Sequence, residues 1–285
     1  MEKEVQKIKE FIYSFYSKYS YNGIIIGISG GIDSAVCAKL CVDSVGKESV
    51  FGLLLPERDS DKQTISDSKL VCDHLNIKYK IINLKPILKS MKVYKLQPPS
   101  FFIPRKIQEK YVKKRWANES PDTFISDLKD EGNKSFLEGL AYYRVKHRVR
   151  LNLLYFEAEK KGYCVAGTTN KTEEKSGFYV KYGDDSSDIE PLIHLYKTEV
   201  IEMANFLNIP DKIINKSPSP DLIPGITDEF AMGISYKDLD RILIKKEKNI
   251  SLNDEDPKKV QRVDKILQSN IKRKIKNISL KRTDQ

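Results

Sequence analysis

Cysteine is scarce in this chain: four in 285 residues, Cys37, Cys41, Cys72 and Cys164, with no Cys-x-x-Cys pair. No zinc or iron–sulfur spacing is present, and the thiols read as reduced and structural, Cys37 and Cys41 lying one turn apart on a buried helix. Long apolar runs are also missing. No stretch reaches the roughly 18 residues that span a bilayer. The opening Met1-Glu2-Lys3-Glu4 lacks the apolar core of a signal peptide, so the expectation is a cytoplasmic protein with no membrane partner. Acidic residues are in deficit, 40 against 50 basic ones, leaving a net charge of +10. That balance favours anionic partners such as nucleotides, nucleic acid or acidic substrates, and equally fits a solvated lysine-rich surface. Internal repeats and long low-complexity segments are absent.

What is present suffices for a core: 40% of residues are apolar. The length suits one domain, 1–285, with a modest insertion. Residues 4–20 carry Val5, Ile8, Phe11, Ile12, Phe15, Tyr16 and Tyr19 at helical spacing. Ile24-Ile25-Ile26-Gly27-Ile28 is a continuous apolar run, the mark of a strand buried on both faces. A helix follows from Asp33 to about Gly46, a strand over 50–55, a helix over 62–75 and a strand over 79–84. Strands alternating with helices predict a doubly wound parallel α/β sheet with helices on both faces. The pattern breaks at about residue 95. Pro98, Pro99 and Pro104 punctuate a basic stretch, and 95–136 reads as an irregular or partly helical insertion that suits either a lid or a fixed loop. A helix over about 136–161 and a strand at 163–166 resume the pattern. Residues 171–192 read mostly as loop, 198–207 as helix, and Ser217-Pro218-Ser219-Pro220 as extended. Two short helices and a basic tail at about 258–285 close the chain.

The segment Gly27-Ile28-Ser29-Gly30-Gly31-Ile32-Asp33-Ser34 carries the chemistry. Glycines let backbone approach a pyrophosphate, and N–H groups at a helix N-terminus then point at its oxygens. Ser29 and Ser34 can donate hydrogen bonds. Asp33 cannot sit against phosphate unless a cation intervenes, so it is expected to bind Mg²⁺. The Lys-Ser/Thr ending of a Walker loop is missing. A capped helix after a flexible Gly-Gly turn is the plainer alternative. Its place at the first strand-to-helix turn of a parallel sheet, where such sheets bind nucleotides, favours the phosphate loop.

This segment resembles the phosphate loop of the N-type ATP pyrophosphatases, which cleave ATP to AMP and pyrophosphate while activating an oxygen. Further motifs are similar to the NAD synthetase family of ammonia-dependent type: Gly167-Thr168-Thr169-Asn170-Lys171-Thr172-Glu173, Phe178-Tyr179-Val180-Lys181-Tyr182-Gly183-Asp184, Asp188-Ile189-Glu190-Pro191-Leu192, Leu195-Tyr196-Lys197-Thr198, Pro218-Ser219-Pro220-Asp221-Leu222, and Gly233-Ile234-Ser235-Tyr236 with Asp240. The resemblance covers about 5–95 and 137–245 and implies an adenine nucleotide alpha-hydrolase-like sheet. It also implies roles. Gly27, Ser29, Gly30, Gly31 and Ser34 would cradle the ATP phosphates; Asp33 and Glu173 would bind Mg²⁺. Thr168, Lys197 and Ser219 would contact ATP, and Arg144, Arg148, Lys181 and Asp188 would face the acid substrate. Asp33, Lys181 and Lys197 would carry catalysis, the lysines stabilising charge on the departing pyrophosphate.

The implied reaction adenylylates the carboxylate of deamido-NAD, and ammonia then displaces AMP to give NAD. No side-chain nucleophile is needed, so His74, His147 and His194 need not be catalytic. The chain has no room for a glutamine hydrolase domain, which implies free ammonia or ammonia from a separate protein. A homodimer is the family's usual state, and the aromatic helix at 4–20 would suit an interface or simply cover the sheet. Three departures all touch the acid side. Tyr143 and Arg144 replace a Gly-Asn pair, 95–136 is longer than in compact members, and Ile271-Lys272-Arg273 stands for His-Lys-Arg. A different carboxylate handled by the same chemistry is therefore the second reading. An RNA-modifying enzyme and a nucleotide-binding regulator without turnover are the third and fourth.

Overall fold

The computed structural model describes residues 1–96, 120–218, 226–275 and 278–279. In its first half, helix α1 (Glu2–Lys18) precedes strand β1 (Gly23–Gly27), helix α2 (Ile32–Val45), strand β2 (Val50–Leu54), helix α3 (Lys62–His74), strand β3 (Lys78–Ile81) and helix α4 (Lys85–Ser90). The chain continues with α5 (Thr123–Lys129), the long α6 (Lys134–Glu159), β4 (Tyr163–Ala166), α7 (Lys171–Ser176), α8 (Lys197–Phe206) and α9 (Asp211–Ile214). It closes with α10 (Asp228–Met232), α11 (Tyr236–Glu247), α12 (Pro257–Ser269) and α13 (Ile271–Lys274).

The strands form one sheet in the order β3-β2-β1-β4, every pair parallel. Central β1 explains why its sequence is apolar without alternation. Ile24 and Ile26 enter the core shared with α1 and α2, while Ile25 enters the core under α4 and α6. Both faces are covered, so both must be apolar. Successive strands run outward from β1 to β3, and the chain then returns to place β4 on the other side of β1. The reversal opens a crevice at the carboxyl ends of β1 and β4, the switch point where such sheets hold ligands. The doubly wound α/β fold expected from the sequence is the one observed.

The structure sharpens three expectations. Within 95–136, read as irregular or partly helical, the described part carries one helix: α5 buries Phe124 and Leu128 in a second core with Met232, Leu239, Ile242, Val263 and Ile266. The stretch 171–192, read as mostly loop, is so apart from its opening six residues, which form α7, a largely charged helix with no apolar periodicity to announce it. Among the described residues four helices, not two, follow residue 226, and the tail as read from composition is packed structure as far as Lys274. In α12 the lysines masked an apolar row. Val263 and Ile266 are fully buried, each worth about 1.5–3 kcal/mol of transfer from water. Residues 97–119, the basic heart of the insertion, and 280–285 lie outside the described residues.

Candidate active site

The loop after β1 is shaped by glycine and closed by its own hydroxyls. Gly30 has φ +71°, and a Cβ there would lie 2.8 Å from both Asp67 Cβ and the Ser68 amide nitrogen. Only glycine meets both conditions. Gly31 is the N-cap of α2, with Ser29 Oγ accepting from its amide at 3.3 Å. Ser34 Oγ donates to the Gly31 carbonyl at 2.9 Å and accepts from the Ser29 amide at 3.3 Å. A free helix N-terminus and two hydroxyls thus converge on one concave turn, ready to exchange these weak internal bonds for phosphate oxygens. Gly27 ends β1, where a Cβ would make only an ordinary 3.5 Å contact with Leu154.

The loop after β4 faces this turn. Asn170 caps α7: its Oδ1 accepts from the Glu173 amide at 3.0 Å, and Glu173 Oε2 accepts from the Asn170 amide at 3.1 Å. This reciprocal capping box fixes Glu173. The remaining donor of Asn170, Nδ2, reaches Asp33 Oδ1 at 2.9 Å. Lys197, the first residue of α8, donates to Asp33 Oδ2. The start of α8 is itself held by Thr172 Oγ1, which accepts from the Lys197 amide at 2.8 Å and donates to buried Asp240 at 2.6 Å. Residues 33, 173 and 197, far apart in sequence, are thereby brought to one point.

Electrostatics single out that point. Burial pushes the Glu173 carboxyl well up, and the nearby Asp33 charge adds to the push. Burial would lower Lys197, but Asp33, Glu173 and Asp228 overcome it and raise the ammonium. Burial raises Asp228 to about 6 against the opposing pull of Lys197. Asp228 Oδ2 accepts from Tyr236 Oη at 2.9 Å, while its buried Oδ1 has no hydrogen-bond partner. Three carboxylates thus surround one ammonium. The set is short of positive charge and holds an orphaned acceptor, which fits a hard divalent cation on oxygen ligands from Asp33 and Glu173. Among the described residues no three His, Cys, Asp or Glu side chains form a metal-holding group. Two carboxylates leave most of such a cation's coordination open, which phosphate oxygens and water would fill where a metal rides on a nucleotide. Asn170, Asp228 and Tyr236 were not singled out in the sequence as site residues. The Asn-x-x-Glu capping pattern was the legible signal for the first, and the Gly233–Tyr236 motif contained the third without marking its role; nothing local announced Asp228.

The remaining candidates divide into two groups. Thr168 lies between β4 and the Asn170 cap, and neighbouring Thr169 Oγ1 donates to the Asp184 carbonyl at 2.8 Å. Arg148 and Lys181 do meet: the exposed guanidinium of Arg148 donates to the Lys181 carbonyl at 3.2 and 3.1 Å. The Lys181 ammonium stands 4.8 Å over the Tyr182 ring. Asp188 accepts from the Val165 amide at 2.7 Å and from Tyr155 Oη at 3.2 Å, pinning its segment beside β4. His147 Nδ1 lies 3.3 Å from Asp184 Oδ1, and burial lowers its pKa. Ser219 falls outside the described residues.

Arg144 is engaged elsewhere. It reaches Asp127 Oδ1 at 2.6 Å and Asp130 Oδ1 at 2.5 Å. Tyr143 Oη donates to the same Asp127 oxygen at 2.7 Å, and Arg273 Nη2 reaches it at 2.9 Å. Segments from all three departing regions therefore meet at one carboxylate. The added segment supplies Asp127, the altered helix supplies Tyr143 and Arg144, and the C-terminal motif supplies Arg273, the arginine it retains beside the changed Ile271.

The family model described as NAD synthase matches residues 4–119 and 117–284. The NH(3)-dependent NAD(+) synthetase of Thermotoga neapolitana is 54% identical over 268 residues, 93% of this chain and 92% of that one. That of Coprothermobacter proteolyticus is 43% identical over 84% of this chain and 83% of its own. Among solved structures, NMN synthetase from Francisella tularensis superposes with a TM-score of 0.74 at 25% identity, covering 98% of both chains. The NH3-dependent NAD synthetase from Campylobacter jejuni gives 0.72 at 26% identity, covering 98% of this chain and 99% of that one.

Proposed function

The chain belongs to the NAD synthase family, and from that premise we propose how its residues carry the reaction. The reaction is the ATP-dependent amidation of deamido-NAD by ammonia. The carboxylate of deamido-NAD attacks the α-phosphorus of ATP, the bond to the β-phosphate breaks, and pyrophosphate leaves with the electron pair. Ammonia then attacks the acyl-adenylate carbonyl, AMP departs, and one proton is released with the amide. In our assignment Ser29, Gly30, Gly31 and Ser34 hold the phosphates. Lys197, fixed by Asp33, meets charge developing on the leaving group. Asp33 and Glu173 hold Mg²⁺, which when bound neutralises phosphate charge. Positioning and preorganised charge do the work, with no covalent intermediate on the protein.

The observation that carries this assignment is the charge deficit at Lys197. A buried set of three carboxylates and one ammonium is costly as it stands and is relieved by a cation. On the acid side we assign Arg148 and Lys181, which line the turn facing the end of β4, and leave Arg144 to its pairing with Asp127. Of the earlier alternatives, one keeps a supporting observation: the Francisella tularensis neighbour is named for a mononucleotide product, and the Asp127 junction alters the acid side. A homodimer is also our reading, supported by the exposed aromatic side chains Phe11 and Tyr13 on α1 and Tyr19 at its C-terminal end. No helix among the described residues is long and apolar enough to cross a membrane; a cytoplasmic location is our own reading.

The test is direct. Purified protein with ATP, Mg²⁺ and ammonium is given deamido-NAD or nicotinate mononucleotide, and AMP and amide product are followed. Turnover of deamido-NAD is the expected result. Turnover of the mononucleotide alone would move the assignment to the second reading.

A further inference from the structure

Beside the phosphate loop lies a second charge cluster with no part in the scheme above. Asp67, on α3, is 1% exposed. Its Oδ1 lies 2.9 Å from Lys212 Nζ and its Oδ2 2.9 Å from Lys216 Nζ, and Gln63 Nε2 donates to Oδ1 at 2.7 Å. Asp67 is also the residue against which Gly30 packs. Lys216 Nζ reaches back to the loop, donating to the Gly30 carbonyl at 3.4 Å.

The charge balance here is opposite to that at Lys197. One buried carboxylate holds two ammonium groups, leaving a positive excess on the Gly30 side of the loop. Across the loop, Asp33, Glu173 and Asp228 outnumber Lys197. A triphosphate lying along this turn would turn its metal-bearing oxygens toward the acidic side and its free oxygens toward Lys216. A 3.4 Å bond to a neutral carbonyl is weak and easily given up. A bond from the same ammonium to a phosphate oxygen is charge-assisted and stronger. The side chain remains 29% exposed, within reach of a ligand, and Asp67 keeps it from swinging into solvent.

We propose that Lys216 binds the β- and γ-phosphates of ATP and the pyrophosphate that leaves, with Asp67 as its positioning residue. The proposal rests on the assignment of residues 29–34 to ATP. During the reaction Lys216 exchanges the Gly30 carbonyl for a phosphate oxygen and keeps its ion pair, so no proton is transferred and the net charge of the site is unchanged.

Calorimetric titration of the full chain with magnesium pyrophosphate, and separately with ATP, tests this. Lys216→Met, which keeps the apolar stem, is expected to weaken both affinities by about tenfold, the loss of one charge-assisted bond. Lys216→Arg restores most of the loss, and the melting temperature of both variants stays near that of the wild type. Unchanged pyrophosphate affinity in Lys216→Met overturns the proposal. So does a lowered melting temperature with unchanged affinity, since the lysine would then merely tie its segment to α3. If the unaltered chain bound neither ligand, the ATP assignment itself would fall and this one with it. Normal binding with an indifferent Lys216→Met sinks only the present inference.

Discussion

Lys146 and Lys197 are both buried ammonium groups on helices beside the sheet, and the company they keep is different. Lys146 is fully buried, 2.8 Å from Glu57 Oε1 and 2.8 Å from Asp59 Oδ2, with its ammonium 4.0 Å over the Tyr142 ring. Arg58 pairs with Asp59 at 2.9 Å, and Tyr94 Oη donates to Glu57 Oε2 at 3.0 Å. Two carboxylates meet two cations there. At Lys197 three carboxylates meet one cation, and an Asp228 oxygen is left without a partner. Burial alone therefore does not mark a functional lysine. The charge stoichiometry around it does: a balanced set is complete within the fold, and an unbalanced one waits for a ligand.

That contrast can be broken by experiment. The largest effect is expected for Asp33→Ala, which removes both the proposed metal ligand and the partner of Lys197. Turnover in the coupled AMP assay should fall about a thousandfold or more; a variant retaining the wild-type rate would refute the site. Lys146→Met should cost about 3–5 kcal/mol in urea unfolding, because Glu57 and Asp59 lose the ammonium they share, and Mg²⁺ should recover none of it. Lys197→Met should also destabilise, but here Mg²⁺ should recover part of the loss. Equal responses of the two variants to Mg²⁺ would dissolve the distinction.

A smaller effect follows from Asp228, whose folded pKa is raised to about 6 from an ordinary value of 3.8. The folded state binds more protons than the unfolded one between those values. Stability is therefore lost as pH rises from about 4 through 6, by up to about 3 kcal/mol. Asp228→Asn should flatten this part of the metal-free stability profile. A profile as steep as the wild type's would assign the slope to other groups. The smallest change is expected for Tyr143→Phe. It removes one of several bonds to Asp127 and should cost about 1 kcal/mol in thermal unfolding, with the KM for the acid shifting more than that for ATP.

How much was legible varies with how local the cause is. The run at 24–26 announced a doubly covered strand, because three consecutive isoleucines need apolar surroundings on both faces. The 29–34 loop was legible because glycine spacing, an N-terminal acid and the preceding strand lie within a few residues. The helix α7 was missed because six residues, four of them charged and none apolar, carry no apolar period, although its capping pair stood in plain view. The α12 helix was read as tail because its lysines dominate the composition, while its buried Val263 and Ile266 follow a spacing that only a packing partner makes meaningful. Arg144, a candidate for the acid substrate, is held by Asp127 and Asp130, carboxylates contributed from a segment read as irregular or partly helical, with no partner legible for them.

The sequence by itself determined the alternating architecture, the phosphate loop and the family motifs, because each depends on neighbours a few residues apart. Only the tertiary structure decided which charges balance. It joined residues 33, 173, 197 and 228 into a set lacking positive charge and residues 57, 58, 59 and 146 into one that lacks nothing. It also set a doubly paired aspartate against Gly30. Electrostatic energy depends on distance and dielectric surroundings, and those exist only once the chain has folded.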